Sequence, residues 1–142
     1  MSSFGDMTFF EILQHHAKAA QSELLAGMAA RGYDGLTMPD IRLCHACHDG
    51  PHPVKTLAER LGVTKQFCAR EVAKLSELGF VETETDPADR RALKVVLSAK
   101  GRELLEAIKA EKQAIDDRMS DRIGPERAAA LADALAALAA SE

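Results

Sequence analysis

From Met7 to about Arg31, the largely apolar positions Phe9, Ile12, Leu13, His16, Ala17, Ala20, Leu24 and Met28 recur at three- and four-residue spacing. Such spacing puts them on one face and predicts a long amphipathic helix, broken by Gly32, Asp34 and Gly35. A second helix is expected after Thr37, an N-cap residue followed three positions later by Asp40; Pro39 is tolerated in its first turn, where the missing N–H has no helical partner. Its expected end is Gly50-Pro51. Val54 to Leu61 reads as a short helix closed by Gly62, and Thr64 caps another that runs to about Leu78 before Gly79. Two strand-like runs, Phe80 to Thr85 and Ala92 to Leu97, flank a polar turn from Asp86 to Arg91 and predict a hairpin. Ser98 then caps a long helix to about Ile123, and Gly124-Pro125 opens a last helix with Leu131, Leu135 and Leu138 on one side.

This order predicts a mostly α fold with a small β-hairpin wing: a winged helix-turn-helix flanked by long helices. Residues 1–142 form a single domain, with 36–97 as the winged helix-turn-helix and 7–35 and 98–142 as outer helices. The apolar stripes at both ends exceed what one small winged helix can cover, so a partner subunit is expected to bury the remainder.

Composition narrows the setting. A chain of 142 residues can bury a core of its own, and with aromatics at 4% that core must be built from Leu, Ala, Val and Ile. No run approaches the roughly 18 consecutive apolar residues of a membrane helix, and Asp6 and Glu11 are out of place in a signal peptide, so a cytoplasmic location away from membranes and reduced thiols are expected. The net charge of −4 hides an uneven distribution: Val54 to Arg102 carries net +3 and the rest net −7. A locally basic stretch within an acidic chain suits a DNA-reading element.

In the helix led by Thr64, Val72 and Leu75 face the core with Cys68 on the same arc, while Gln66, Ala69, Arg70 and Ala73 lie opposite, with Lys65 and Lys74 toward the edges. Small residues at 69 and 73 let that face lie close to a groove; Gln can pair bidentately with adenine, and Arg with guanine or phosphate. The following run, Asp86-Pro87-Ala88-Asp89-Arg90-Arg91-Ala92-Leu93-Lys94-Val95-Val96-Leu97-Ser98-Ala99-Lys100-Gly101, combines an Asp-x-Arg wing with a strand and a Leu-Ser-x-x-Gly entry into a long helix. Together with Leu75-Ser76-Glu77-Leu78-Gly79-Phe80-Val81 before it, the chain resembles the MarR family of bacterial regulators, specifically from about Leu57 to Gly101. The resemblance implies a homodimer joined by its terminal helices, with two recognition helices in successive major grooves of a pseudo-palindromic operator. Asp89 is placed to pair with a nearby arginine and stiffen the wing, leaving Arg90 or Arg91 for the backbone or minor groove. The expected DNA-contacting residues are Thr64, Lys65, Gln66, Arg70, Lys74, Arg90 and Arg91. Glu71 departs from the family pattern, which has an apolar residue there, and Phe67 stands where a small polar residue is commoner.

Cys44-His45-Ala46-Cys47-His48, followed by His52, admits several readings. The Cys-x-x-Cys-His spacing matches haem attachment, a chemistry of exported proteins. Cys44, Cys47 and His48 share one helical face at a spacing zinc could use. The thiols could act in redox, with Cys68 on the reading helix as another candidate. Packing is the simplest reading: the two cysteines replace leucines as small buried hydrophobes, with His45 pointing outward.

The expected function is therefore a sequence-specific, dimeric transcriptional regulator, a repressor released when a small aromatic ligand enters the crevice between the dimerisation and DNA-binding parts, with His16, Cys44 and Cys47 as lining candidates. No cofactor, metal site or catalytic arrangement is expected: no nucleophile triad or carboxylate pair stands out. The alternatives are a thiol-redox or metal-responsive regulator using Cys44/Cys47 or Cys68, and a winged helix that binds protein.

Overall fold

The structure, a computed structural model, describes residues 5–142; the side chains of Asp86, Arg90, Arg91 and Ala92 lie outside the description. The elements are α1 (Phe9–Ala30), α2 (Met38–Ala46), β1 (His52–Pro53), α3 (Val54–Leu61), α4 (Lys65–Glu77), β2 (Val81–Asp86), β3 (Asp89–Leu97), α5 (Ala99–Ile123) and α6 (Pro125–Ala140). The helix order matches the periodicity, and the starts are fixed by caps. Thr8 and Glu11 form a reciprocal capping box on α1, and Thr37 and Asp40 form one on α2. Thr64 and Ser98 accept from Phe67 N and Gly101 N at the heads of α4 and α5.

Three details differ from expectation. Helix α2 stops at Ala46, well before Gly50-Pro51, because Cys47 already leaves helical geometry as its C-cap. His52–Pro53 adds a third strand, pairing antiparallel with β3 (His52 to Val95, Pro53 to Lys94) in the sheet order β1-β3-β2. The hairpin itself is longer than its apolar runs, since β3 starts at Asp89, with a register irregularity at Thr85/Asp86.

The core lies where α2, α3 and α4 meet the sheet and the first half of α5. Met28, Ile41, Leu43, Leu57, Leu75, Val95, Leu104 and Ile108 are inaccessible to solvent there. Gly101 lets α5 in: a Cβ built on it would stand 1.9 Å from the Phe80 carbonyl oxygen, so any side chain at 101 collides with backbone. The Leu-Ser-x-x-Gly sequence thus closes the winged helix onto α5, with Ser98 Oγ donating to the Gly79 carbonyl and accepting from Gly101 N.

Helix α1 packs on α5 through Arg31–Glu111 (2.9 Å) and Arg118–Glu23 (2.6 Å). Beyond that the terminal helices leave much apolar surface open. Phe9 and Phe10 are 86% and 72% exposed, and Leu131, Leu135 and Leu138 of α6 are 46%, 41% and 60% exposed; no residue of α6 is buried. No helix among the described residues is long and apolar enough to cross a membrane.

Candidate nucleic-acid interface and adjoining crevice

Helices α3 and α4 meet across Gly62-Val63-Thr64. Gly62 takes a left-handed φ of +66°, which ends α3 and turns the chain, and Val63 packs partly into the angle between the helices. Along α4 the core residues Cys68, Val72 and Leu75 occupy one arc, while Lys65, Gln66, Ala69, Arg70 and Ala73 are exposed on the other, with Thr64 exposed at the cap. This is the division the 3.6-residue period predicts, and it leaves a smooth outer face between two alanines. The Arg70 guanidinium lies 6.0 Å from the centre of the Phe67 ring. Phe67 itself lines a small groove of about 120 Å³ with Pro39, Arg42, Leu61 and Val63.

Lys74 is placed differently from the other expected contacts. Its ammonium donates to Asp40 Oδ2 at 2.8 Å, an interaction invisible to a helical wheel because Asp40 lies on another helix. The side chains of Arg90 and Arg91 lie outside the described ones; their backbone belongs to β3 at the wing tip.

The root of the wing is tied to the helix-turn-helix by Asp49. Its carboxylate accepts from Arg60 of α3 (2.7 Å) and from His52 of β1 (2.7 Å), and Arg60 also donates to the Ala46 carbonyl at the end of α2 (3.1 Å). The Arg60 and His52 hydrogen bonds hold the Asp49 carboxyl well below the usual carboxylate range.

A crevice of about 560 Å³ opens between the outer helices and the winged helix-turn-helix. Gln21 of α1 and Lys112 of α5 line one side; Met38, Ile41, Arg42 and His45 of α2 and Arg60 and Leu61 of α3 line the other. It therefore combines apolar walls with the basic side chains of Arg42, Arg60 and Lys112. Burial, and then the nearby Lys112 and His48, lower the pKa of His45 and favour its neutral form. His16, Cys44 and Cys47 do not line this crevice. On α2, residues 38, 41, 42 and 45 face it, whereas Cys44 and Cys47 turn into the core, Cys44 donating to the Gly101 carbonyl. His16 is exposed on α1, its ring edge-on to His15.

Packing accounts for the cysteines. All three are free and buried, and burial pushes the Cys44 and Cys47 thiols up to about 11 and about 12 and raises Cys68 as well. Thiols so held are neither nucleophilic nor exposed. His48 is turned to solvent with Nδ1 donating to the His45 carbonyl (2.9 Å), and among the described residues no group of three or more His, Cys, Asp or Glu is placed to hold a metal ion. Folded protein at about pH 8 is accordingly expected to resist a maleimide that labels all three thiols of the urea-unfolded chain within minutes. Prompt labelling of the folded form would restore the redox reading.

Comparison with known proteins converges on one group. Residues 34–92 match the sequence profile of the MarR family, a span that holds the helix-turn-helix and most of the wing. An uncharacterized protein of Mycobacterium tuberculosis is 29% identical over 110 residues, covering 78% of this chain and 77% of its own. Among solved structures, the transcriptional regulator Tm0710 from Thermotoga maritima superposes with a TM-score of 0.68 at 25% identity, over 94% of this chain and 92% of that one. The transcriptional repressor CouR, solved bound to a 23-mer DNA duplex, gives 0.79 at 21% identity over 98% and 99%. The YusO protein from Bacillus subtilis gives 0.75 at 22% identity over the whole of both chains.

Proposed function

We propose that this chain is a member of the MarR family of transcriptional regulators and works as a homodimeric repressor that a small acidic ligand releases from its operator. It is a DNA-binding regulator of transcription and not an enzyme. The observation that carries the reading is the exposed arc of α4. Thr64, Lys65, Gln66 and Arg70 stand clear of the core around two alanines, on a helix fixed at its head by a cap and seated by Val72 and Leu75. That face can enter a major groove with Gln66 and Arg70 at the base edges and Thr64 and Lys65 at the phosphates. Arg90 and Arg91 at the wing tip then serve the adjacent backbone or minor groove. The open apolar surface of α1 and α6 supports the twofold partner, since a stripe of that size is unusual on a monomer. The crevice supports the ligand: Ile41 and Leu61 suit an aromatic body, and Arg42, Arg60 and Lys112 suit its acid group. A ligand preferring a recognition-helix spacing that misfits DNA lowers DNA affinity by that preference.

A salt titration on genomic fragments selected by the protein tests the DNA reading. Log affinity is expected to fall linearly with log salt, by about 0.9 per phosphate neutralised. Arg91→Ala should flatten that slope by roughly one, whereas Arg70→Ala should cost about 1–3 kcal/mol on the selected site and relax its sequence preference with little change in slope. Equal affinity of wild type and Arg70→Ala for the selected site would remove α4 as the reader.

A further inference from the structure

The recognition helix is fastened to α2 by a polar cluster that reading DNA does not itself require. Asp40 is wholly buried at the first turn of α2, and its Oδ2 accepts from Thr37 N and from the Lys74 ammonium, both at 2.8 Å. Its other oxygen, Oδ1, is buried without a hydrogen-bond partner. One turn before Lys74, Glu71 shows the same defect: Oε2 is buried without a partner, and its carboxyl lies against that of Asp40. With both groups ionised, two acceptors lack donors and two like charges meet in a partly dry place. One proton removes both defects at once, with Glu71 Oε2–H donating to Asp40 Oδ1.

We propose that Glu71 and Asp40 share a single proton, and that this clasp, completed by Lys74, seats the recognition helix on α2 so that DNA binding weakens when the proton is lost. The clasp rests on the proposed function only in taking α4 as the helix that reads DNA. Lys74 then acts as a positioning residue through Asp40.

The surroundings favour Glu71 as the holder of the proton. Facing its carboxyl are Asp40 and Arg42 from α2 and Cys68, Arg70 and Lys74 from its own helix; α3 contributes the apolar Leu61 to the same groove. Burial, and then the charge of the neighbouring Asp40 carboxylate, raise Glu71 above its ordinary value, against the pull of Lys74 and Arg70. For Asp40, burial pushes upward but is outweighed by the hydrogen bonds from Lys74 and Thr37, which hold it below its ordinary value. A raised Glu71 stabilises the fold fully below its ordinary pKa and loses that contribution as pH climbs through the raised value; a lowered Asp40 loses its contribution only as pH falls through the lowered one. The clasp therefore opens on the alkaline side.

Carbon-13 carboxyl NMR of the wild-type protein should show Glu71 titrating above the other glutamates, and Lys74→Met should move that midpoint higher still by removing an opposing cation. Binding of the selected duplex, followed from about pH 5 to about pH 9 at fixed ionic strength, should weaken across the same midpoint, about tenfold for each pKa unit by which the DNA-bound form holds the proton more tightly. Glu71→Gln, whose amide donates to Asp40 Oδ1 at every pH, should bind with no step there. Lys74→Met should keep the wild-type salt slope; a slope reduced by about 0.9 would make Lys74 a phosphate contact instead. Glu71 titrating with the ordinary carboxyls, or a Glu71→Gln profile that copies the wild type, overturns the clasp. Should Glu71→Gln fail to fold, the wild-type and Lys74→Met titrations decide. If no duplex binds at low salt the DNA reading falls, while the NMR titration still judges the shared proton.

Discussion

The double variant Leu131→Asp/Leu135→Asp is expected to run as a folded monomer in sedimentation and to lose about a hundredfold or more in affinity for a two-half-site duplex. Both leucines sit on one side of α6, 46% and 41% exposed, in a helix with no buried residue of its own. Carboxylates there would have to be desolvated in any twofold interface, which ionised groups resist strongly. The protomer loses less, because those positions already partly meet water. Once the subunits part, each reading helix binds its half-site alone, without the effective concentration that linkage supplies, a factor of about 10²–10⁴. Sedimentation as an unchanged dimer would move the twofold contact away from α6.

Gly101→Ala should destabilise the chain by about 3 kcal/mol, read as a lower midpoint in urea unfolding. Alanine is the better helix former by about 1 kcal/mol, so propensity alone predicts the opposite sign. Geometry decides otherwise: the new methyl would stand 1.9 Å from the Phe80 oxygen, a carbonyl that already accepts from Ser98 N at the junction of β3 and α5. Relief requires backing α5 off the sheet, which also loosens the Cys44 contact with the Gly101 carbonyl. Gly27→Ala is the natural control, since its new methyl meets only the movable end of Glu111. Equal midpoints for the two variants would mean that α5 has slack at its head.

The sequence made the helix-turn-helix and wing legible because their determinants are local. The Thr64 cap, the turn at Gly62, the arc shared by Val72 and Leu75 and the hairpin's alternating runs each lie within a few residues of what they specify. What escaped depended on distant partners. His52–Pro53 is too short to show a period and is a strand only because β3 passes beside it. The crevice lining required the phase of a nine-residue helix together with Gln21 and Lys112 from other helices, so the sequence alone did not show that Arg42 and His45, rather than Cys44 and Cys47, line it. Lys74 sits at the edge of the reading arc by angle alone, and nothing local announces Asp40, 34 residues earlier in the chain. Glu71, like Phe67, is a departure visible in the sequence, but the aspartate beside it on another helix is not.

The Asp49 carboxylate has a consequence for operator geometry. By gripping Arg60 and His52 together, it braces β1, and through it the β3 strand of the wing, against the helix that precedes the reader. On the proposed reading, the spacing between the wing and α4 is thereby held constant within each half-site. If the chain works as the proposed twofold dimer, tolerance for a base pair more or less comes from between the protomers, and the expected result is acceptance of variation at the centre of a palindrome and refusal inside the arms.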